Sequence, residues 1–221
     1  PPMRLKKNII LRISDVLFAK GEYLNSISFL DSIHSIYNIQ EIKNKLVEIH
    51  LFAGMPDTAL SLINEIFLTI TPTNIGFNDL MEIKDIINYY YTDVDEDGKK
   101  AFKQFLKAEY LLKQRKVSEA SELLNHVITK NYDLKIIPMI VLRRSILLMK
   151  LKKYDTALNH ISSIENSLFG DKSIIMSGQI YEQIYNDNEK AMEYYMRIIN
   201  EYTESIYFEP IRYHIRNLGN S

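Results

Sequence analysis

The chain has 221 residues, of which 46% are hydrophobic and 25% are charged, and its formal net charge is −1. This near-neutral balance gives no global attraction to nucleic acid or to an anionic membrane. Because the sequence contains no cysteine, disulfides, thiolate zinc sites and cysteine nucleophiles are excluded.

Apolar residues recur at three- and four-residue steps along the chain, and no segment alternates as a strand would. The pattern predicts about twelve helices and no strand. No window approaches eighteen continuous apolar residues, so we expect no membrane span. The predicted helices cover 4–20, 22–37, 39–53, 56–70, 77–92, 98–114, 117–130, 134–150, 153–166, 171–185, 188–202 and 205–218.

A local pattern occurs five times. Each copy has an apolar helix end, a short polar or glycine turn, and a small residue one turn into the next helix. These small residues are Ser26, Ala59, Ala120, Ala157 and Ala191, and their spacings are 33, 61, 37 and 34 residues. A period near 34 residues made of two helices predicts a helical solenoid.

The residues that end and begin the predicted helices agree with this organisation. Gly21 and Gly54 follow helix ends, where a left-handed residue satisfies the last carbonyls, and Pro56 suits the first turn of the next helix. The long spacing between the second and third copies contains an additional helix at 77–92. We expect this helix to separate two repeat pairs, either as a rigid spacer or as a hinge.

In these repeats the chain resembles the tetratricopeptide repeat (TPR) family. The resemblance implies an all-α, right-handed superhelical solenoid of antiparallel helix pairs, in one domain over 1–221. It also implies close contacts at small residues of the first helices and at large residues of the second helices. The pairs would cover 4–37, 39–70, 98–130, 134–166 and 171–202, with an extra helix at 77–92 and a capping helix at 205–218. The implied first-helix positions are Ser14, Val47, Ala108, Ser145 and Gly178, and the second-helix positions are Leu30, Ile63, Leu124, Ile161 and Tyr195.

The C-terminal stretch resembles the end of many bacterial envelope TPR proteins. An aromatic helix over 194–202 runs through Thr203-Glu204-Ser205 into a last helix that contains Ile211 and Arg212. The chain also opens with Pro1-Pro2-Met3, which we interpret as part of a longer precursor. A bacterial periplasm, envelope or cytoplasm would each be consistent with these features.

The resemblance implies that the first helices line a concave face. In the earlier repeats this face would carry Asn8, Arg12, Asp15, Asn44, Lys45 and Glu48. In the second half it would be mixed apolar and basic, which suits a peptide with apolar anchors and an acidic end. The basic run from Lys99 to Lys116 has only Glu109 and Glu119 nearby, which favours a basic groove. The alternative is that these lysines lie on the convex, solvated face. The predicted partner-binding residues are Phe102, Phe105, Glu109, Lys113, Met139, Arg143, Ile146 and Lys150.

The acidic loop 93–98 matches the first half of an EF-hand calcium loop, with carboxylates at alternate positions and Gly98 in sixth place. Its second half fails, because Lys100 and Gln104 occupy positions that need an apolar residue and a bidentate carboxylate. A solvated start of the next helix explains the acidic residues better.

No other motif indicates a metal, a cofactor or catalysis. None of the five histidines lies three or four residues from another, and His50 is expected to pack inside a repeat. The hydrolase, P-loop, zincin and dinucleotide-binding motifs are absent, so we expect no enzyme. In the run Tyr89-Tyr90-Tyr91, at least one ring should reach the surface or a groove.

The sequence therefore predicts a non-catalytic scaffold that binds a partner peptide or protein in a concave groove. One alternative is a bacterial envelope assembly or lipoprotein module. Another is the sensor half of a transcription regulator. We expect no cofactor and no direct contact with nucleic acid, because no basic recognition helix is visible.

Overall fold

The computed structural model describes residues 3–37, 39–130 and 133–218. These residues form twelve α-helices and one π-helical turn and contain no strand, which confirms the all-α fold class. The backbone divides into two compact units, Pro1–Ile136 (unit 1) and Ile137–Ser221 (unit 2). Residues 1–2 and 219–221, the ends of the predicted domain, lie outside the described part.

Unit 1 contains three helix pairs and an additional helix. Each pair joins consecutive helices through a short turn, which makes the partners antiparallel. Its described elements are α1 (Met3–Ala19), α2 (Tyr23–Tyr37), α3 (Gln40–Phe52), α4 (Pro56–Phe67), α5 (Phe77–Ile87), the π-helical turn π1 (Asn88–Thr92), α6 (Glu96–Lys113) and α7 (Val117–Lys130). The first helix of the second pair, α3, also contacts α1 and α6, while α5 contacts α4 and π1 contacts α6.

Unit 2 contains two helix pairs and a final helix, and each helix contacts the next one along the chain. The elements are α8 (Ile137–Lys150), α9 (Tyr154–Ser162), α10 (Gly170–Gln183), α11 (Asn188–Glu201) and α12 (Phe208–Leu218). Helix α12 places Ile211 against a buried cluster that includes Ile174, Tyr195 and Ile198. It thus covers the last apolar face of the repeats, as a capping helix must.

The small residues of the repeats lie where paired helices touch. In the first pair, the Oγ atoms of Ser14 and Ser26 are 2.7 Å apart, and the Ser26 hydroxyl also lies 3.0 Å from the Ser14 carbonyl oxygen. Side chains larger than these would separate the two helices. All ten implied small positions are buried; they are Ser14, Ser26, Val47, Ala59, Ala108, Ala120, Ser145, Ala157, Gly178 and Ala191.

The turns inside the five pairs share one backbone conformation. A left-handed residue lies five positions before each small residue of the second helix, and it is a glycine in only the first two pairs. The residues and their φ angles are Gly21 (91°), Gly54 (82°), Arg115 (64°), Lys152 (59°) and Asn186 (53°). This shared geometry shows that the five copies are structural repeats even where glycine is missing.

The three consecutive tyrosines are placed by π1, which continues α5. Tyr90 and Tyr91 are 7% and 6% exposed, whereas Tyr89 is 39% exposed, so the expectation of at least one surface ring is confirmed. Within π1, two neighbouring rings therefore face inward and the third reaches the surface. The Tyr91 hydroxyl donates to Asp57 Oδ2 at 2.7 Å, and burial together with this carboxylate raises the pKa of Tyr91 to about 12.

One helix is clearly shorter than predicted. Helix α9 ends at Ser162 rather than at 166. The hydroxyls of Ser162 and Ser163 donate to the carbonyls of Asn159 and His160, and the amide of Ile164 bonds three residues back to Ile161. Serine hydroxyls that bond to the backbone compete with the helical ladder, and here they accompany its last turn.

Candidate functional site

The structure places the predicted partner-binding residues on two helices in two different units. Those of unit 1 lie on α6. Phe102 is completely buried, and its ring lies 5.8 Å from the Tyr91 ring and 6.4 Å from the Phe105 ring. Phe102 is therefore a core residue rather than a surface contact, while Phe105 and Glu109 are half-buried and Lys113 is exposed.

The residues of unit 2 lie on one face of α8. Met139, Arg143 and Ile146 are half-buried, and Lys150 is exposed at the end of the helix. Their spacing of three or four residues keeps them on one side of an α-helix. This face therefore offers two apolar side chains and two cationic ones.

The lysines on and beside α6 are more fully paired than the sequence indicates. We expected the basic run to have only Glu109 and Glu119 nearby. Instead Lys99 pairs with Glu96 and Lys100 with Asp97, each at 3.0 Å, in the first turn of the same helix. The expectation of a basic surface here is wrong in this respect, because it overlooked the acidic first turn.

Four of the predicted concave residues line a cleft in unit 1. A cleft of about 440 Å³ opens between α1, α3 and α5 together with the residues just before α5. Four residues of α3 with helical spacing form one wall, and α5 forms the opposite wall. The lining residues are Leu11, Asp15, Glu41, Asn44, Lys45, Glu48, Ile75, Gly76, Asp79, Leu80 and Ile83. Of the six residues expected on this part of the concave face, the cleft brings together Asp15, Asn44, Lys45 and Glu48 and leaves out Asn8 and Arg12.

A chain of ion pairs crosses the cleft floor. Lys45 Nζ lies 2.5 Å from Asp15 Oδ1 and 2.6 Å from Glu48 Oε2, and Lys113 Nζ lies 2.7 Å from Glu48 Oε1. Burial would lower the pKa of Lys45, but its two carboxylate partners outweigh burial and raise it. Burial likewise acts to raise the pKa of Glu48, and its hydrogen bonds with Lys113 and Lys45 lower it overall. Both groups are charged at neutral pH.

Sequence reasoning missed the half of the cleft that α5 supplies. Ile75, Asp79 and Ile83 belong to the segment that we expected only to separate repeat pairs. The apolar spacing at Leu80, Ile83 and Ile87 was the available signal, and it indicates that α5 buries one face. It does not indicate which helix that face packs against.

The acidic loop before α6 acts as a helix start. Asp95 precedes the first helical residue, and its carboxylate accepts a hydrogen bond from the Gly98 amide at 2.8 Å. Glu96 and Asp97 then occupy the first turn, where negative charge is favourable. Within the described residues, no three His, Cys, Asp or Glu side chains come together as metal ligands would.

The surroundings of His50 and His160 indicate structural roles. His50 is half-buried, and burial lowers its pKa against the weaker effect of Asp31, as expected for a packed residue. His160 Nε2 contacts the guanidinium of the buried Arg144. Burial, and then the charge of Arg144, lowers the pKa of His160, so a neutral ring accepts this hydrogen bond.

Comparison with known proteins agrees with the repeat geometry. A family model of the tetratricopeptide repeat-like domain matches residues 77–220, about two thirds of the chain. The chain belongs to this family. The tetratricopeptide repeat-like match covers α5 and every later helix, and it confirms the resemblance found in the repeats. As a member of the family, the chain is a helical repeat scaffold of the protein-interaction type, and this type of fold is generally non-catalytic.

Other comparisons add little to the TPR assignment. No curated protein matches the chain. Among solved structures, the crystal structure of MamA is similar with a TM-score of 0.45 at 13% identity, over 87% of this chain and 95% of the MamA chain. None of the helices in the described residues combines the length and apolarity needed to cross a bilayer.

Proposed function

We propose that the chain is a non-catalytic scaffold that binds protein or peptide partners with the faces of its first helices. The observation that carries this proposal is the open cleft between α1, α3 and α5, because its lining combines apolar walls with fixed charges. A volume of about 440 Å³ falls within the usual range of binding sites, about 300–1,000 Å³. Rigid helices on both sides hold this surface in place before a partner arrives.

In unit 2 the proposed contact surface is the face of α8. Its half-buried Met139 and Ile146 would supply apolar contact, and Arg143 and Lys150 would attract an acidic partner segment. In unit 1, Phe105, Glu109 and Lys113 of α6 remain part of the proposed surface, while the buried Phe102 supports it from below.

The α8 proposal predicts the effect of reversing two charges. The variant Arg143→Glu/Lys150→Glu should bind a partner at least about tenfold more weakly, since like charges replace complementary ones. Proteins captured from native lysate by the wild-type chain are identified by mass spectrometry, and their affinity for each variant is then measured with purified components.

A matched control reverses the same number of charges in the turn that follows α8. The variant Lys152→Glu/Lys153→Glu should keep the wild-type affinity within about twofold, because both side chains are exposed beyond the proposed face. Equal binding by all three proteins would contradict the assignment of α8 as a contact surface.

A further inference from the structure

We infer that the cleft between α1, α3 and α5 accepts a partner segment in which an apolar side chain stands beside a lysine or arginine. This inference rests on the proposed function and names the chemistry of the partner at the same site. It concerns a surface built partly from α1 and α3, which precede the region matched by the family model.

The apolar side of the cleft suits an apolar side chain of the partner. Leu80 is 2% exposed and forms part of the floor, with the half-buried Leu11 and Ile83 beside it. Ile75 is 97% exposed and lies at the rim. Covering such a side chain with an apolar group of a partner removes apolar area from water, which favours association.

The charges of the cleft are complementary to a cation. Four carboxylates line it, those of Asp15, Glu41, Glu48 and Asp79, against the single ammonium group of Lys45. Lys45 is already engaged by Asp15 and Glu48, and Lys7 and Lys113 pair with Glu41 and Glu48.

Asp79 is the carboxylate that stays available. It is exposed, and it makes no ion pair with any residue in the ranges that the structure describes. Asp15 and Glu41 also keep 46% and 49% of their side chains exposed. A cationic group next to the apolar anchor therefore finds acceptors, whereas an anionic group meets only one ammonium group, which two carboxylates already engage.

Two synthetic peptide arrays test this chemistry on the full chain. One array holds peptides of about ten residues made of Gly, Ser and Leu with two lysines at varied positions, and the other has glutamates in place of the lysines. We expect the tightest peptides to come from the lysine array, and we expect their binding to weaken as salt is raised, because exposed charge pairs are screened.

Two surface variants and two controls then locate the site. Asp79→Lys and Ile75→Ser should each weaken the best lysine peptide about tenfold, by charge repulsion and by loss of the apolar rim. Asp85→Lys lies on the same helix, and Leu68→Ser removes another largely exposed apolar side chain of unit 1. Neither belongs to the cleft lining, so both should bind within about twofold of wild type. Circular dichroism verifies that all four variants fold.

The outcomes separate the two proposals. The inference is supported if the lysine array gives the tightest peptides and if Asp79→Lys and Ile75→Ser each weaken their binding. Preference for glutamate peptides that Ile75→Ser still weakens would overturn the partner chemistry and leave the cleft as a binding site. The inference would be overturned if neither cleft variant changed the binding of the selected peptides, or if neither array gave a binding peptide. The α8 charge-reversal experiment would then test the proposed function separately.

Discussion

Replacing Gly170 with alanine should lower the free energy of unfolding by about 3 kcal/mol, the upper part of the range for inserting atoms into a packed interior. A Cβ atom at this position would lie 2.1 Å from the backbone oxygen of Glu165 and 2.3 Å from the hydroxyl oxygen of Tyr202. That hydroxyl donates to the same Glu165 oxygen at 2.9 Å, so both groups are held in place. Urea unfolding followed by far-UV circular dichroism measures the loss.

The backbone contact makes this loss hard to relieve. The double variant Gly170→Ala/Tyr202→Phe should stay about as unstable as Gly170→Ala alone, because the Glu165 oxygen still opposes the new methyl group. Gln179→Ala on the same helix serves as the control, since this exposed side chain should change stability by no more than about 0.5 kcal/mol. A Gly170→Ala protein as stable as this control would show that the start of α10 adapts freely.

Replacing Gly178 with alanine should lower the free energy of unfolding by about 2 kcal/mol, although alanine usually stabilises a helix interior by about 1 kcal/mol relative to glycine. The Cβ atom would lie 2.5 Å from Tyr195 Cε1 and 2.9 Å from Cδ1. Tyr195 is 1% exposed, and its hydroxyl donates to Glu182 Oε2 at 2.7 Å, so the ring has little freedom to move away. Urea unfolding again gives the measurement.

A double-mutant cycle identifies the ring as the cause. In a Tyr195→Leu background, Gly178→Ala should be neutral or slightly stabilising, because all three of the nearest opposing atoms belong to Tyr195. The same destabilisation in both backgrounds would contradict this explanation. The cycle also tests whether Gly178 makes the close helix contact of the fifth repeat that Ser14, Val47, Ala108 and Ser145 make in the other four.

The surroundings of Glu182 show why Tyr195 is fixed. Its carboxylate accepts from the Tyr195 hydroxyl and lies 2.9 Å from His214 Nε2 of the capping helix. Burial acts to raise the pKa of Glu182, but the hydrogen bonds with Tyr195 and His214 outweigh it and lower the pKa. One carboxylate therefore joins α10, α11 and α12.

Most of the fold could be predicted from the sequence because the repeats are local. The position of Ala59 or Ala157 one turn into a helix follows from the spacing of apolar residues, and both are buried against the partner helix. The left-handed turns were visible at Gly21 and Gly54 only. Arg115, Lys152 and Asn186 take the same conformation in the other three pairs. Asparagine tolerates it better than most residues, but arginine and lysine have no preference for it.

The candidate site was less predictable because it depends on pairing across the chain. The α6 residue Lys113 binds Glu48 of α3, 65 positions earlier, and a spacing rule confined to one helix cannot find such a pair. The burial of Phe102 likewise depends on π1, since the inward Tyr91 packs on its ring. The cleft exists because α5 packs on α4 and so lies across from α3, and the sequence of α5 does not indicate which helix it contacts.

Site-specific photo-crosslinking tests the central claim most directly. A photoreactive phenylalanine derivative is placed either at Ile75, in the rim of the cleft, or at Leu68, which is 86% exposed in the same unit but outside the cleft. The scaffold proposal predicts crosslinked protein adducts from position 75 in native lysate and few or none from position 68. Adducts of equal abundance at both positions, or none from position 75, would contradict partner binding in this cleft.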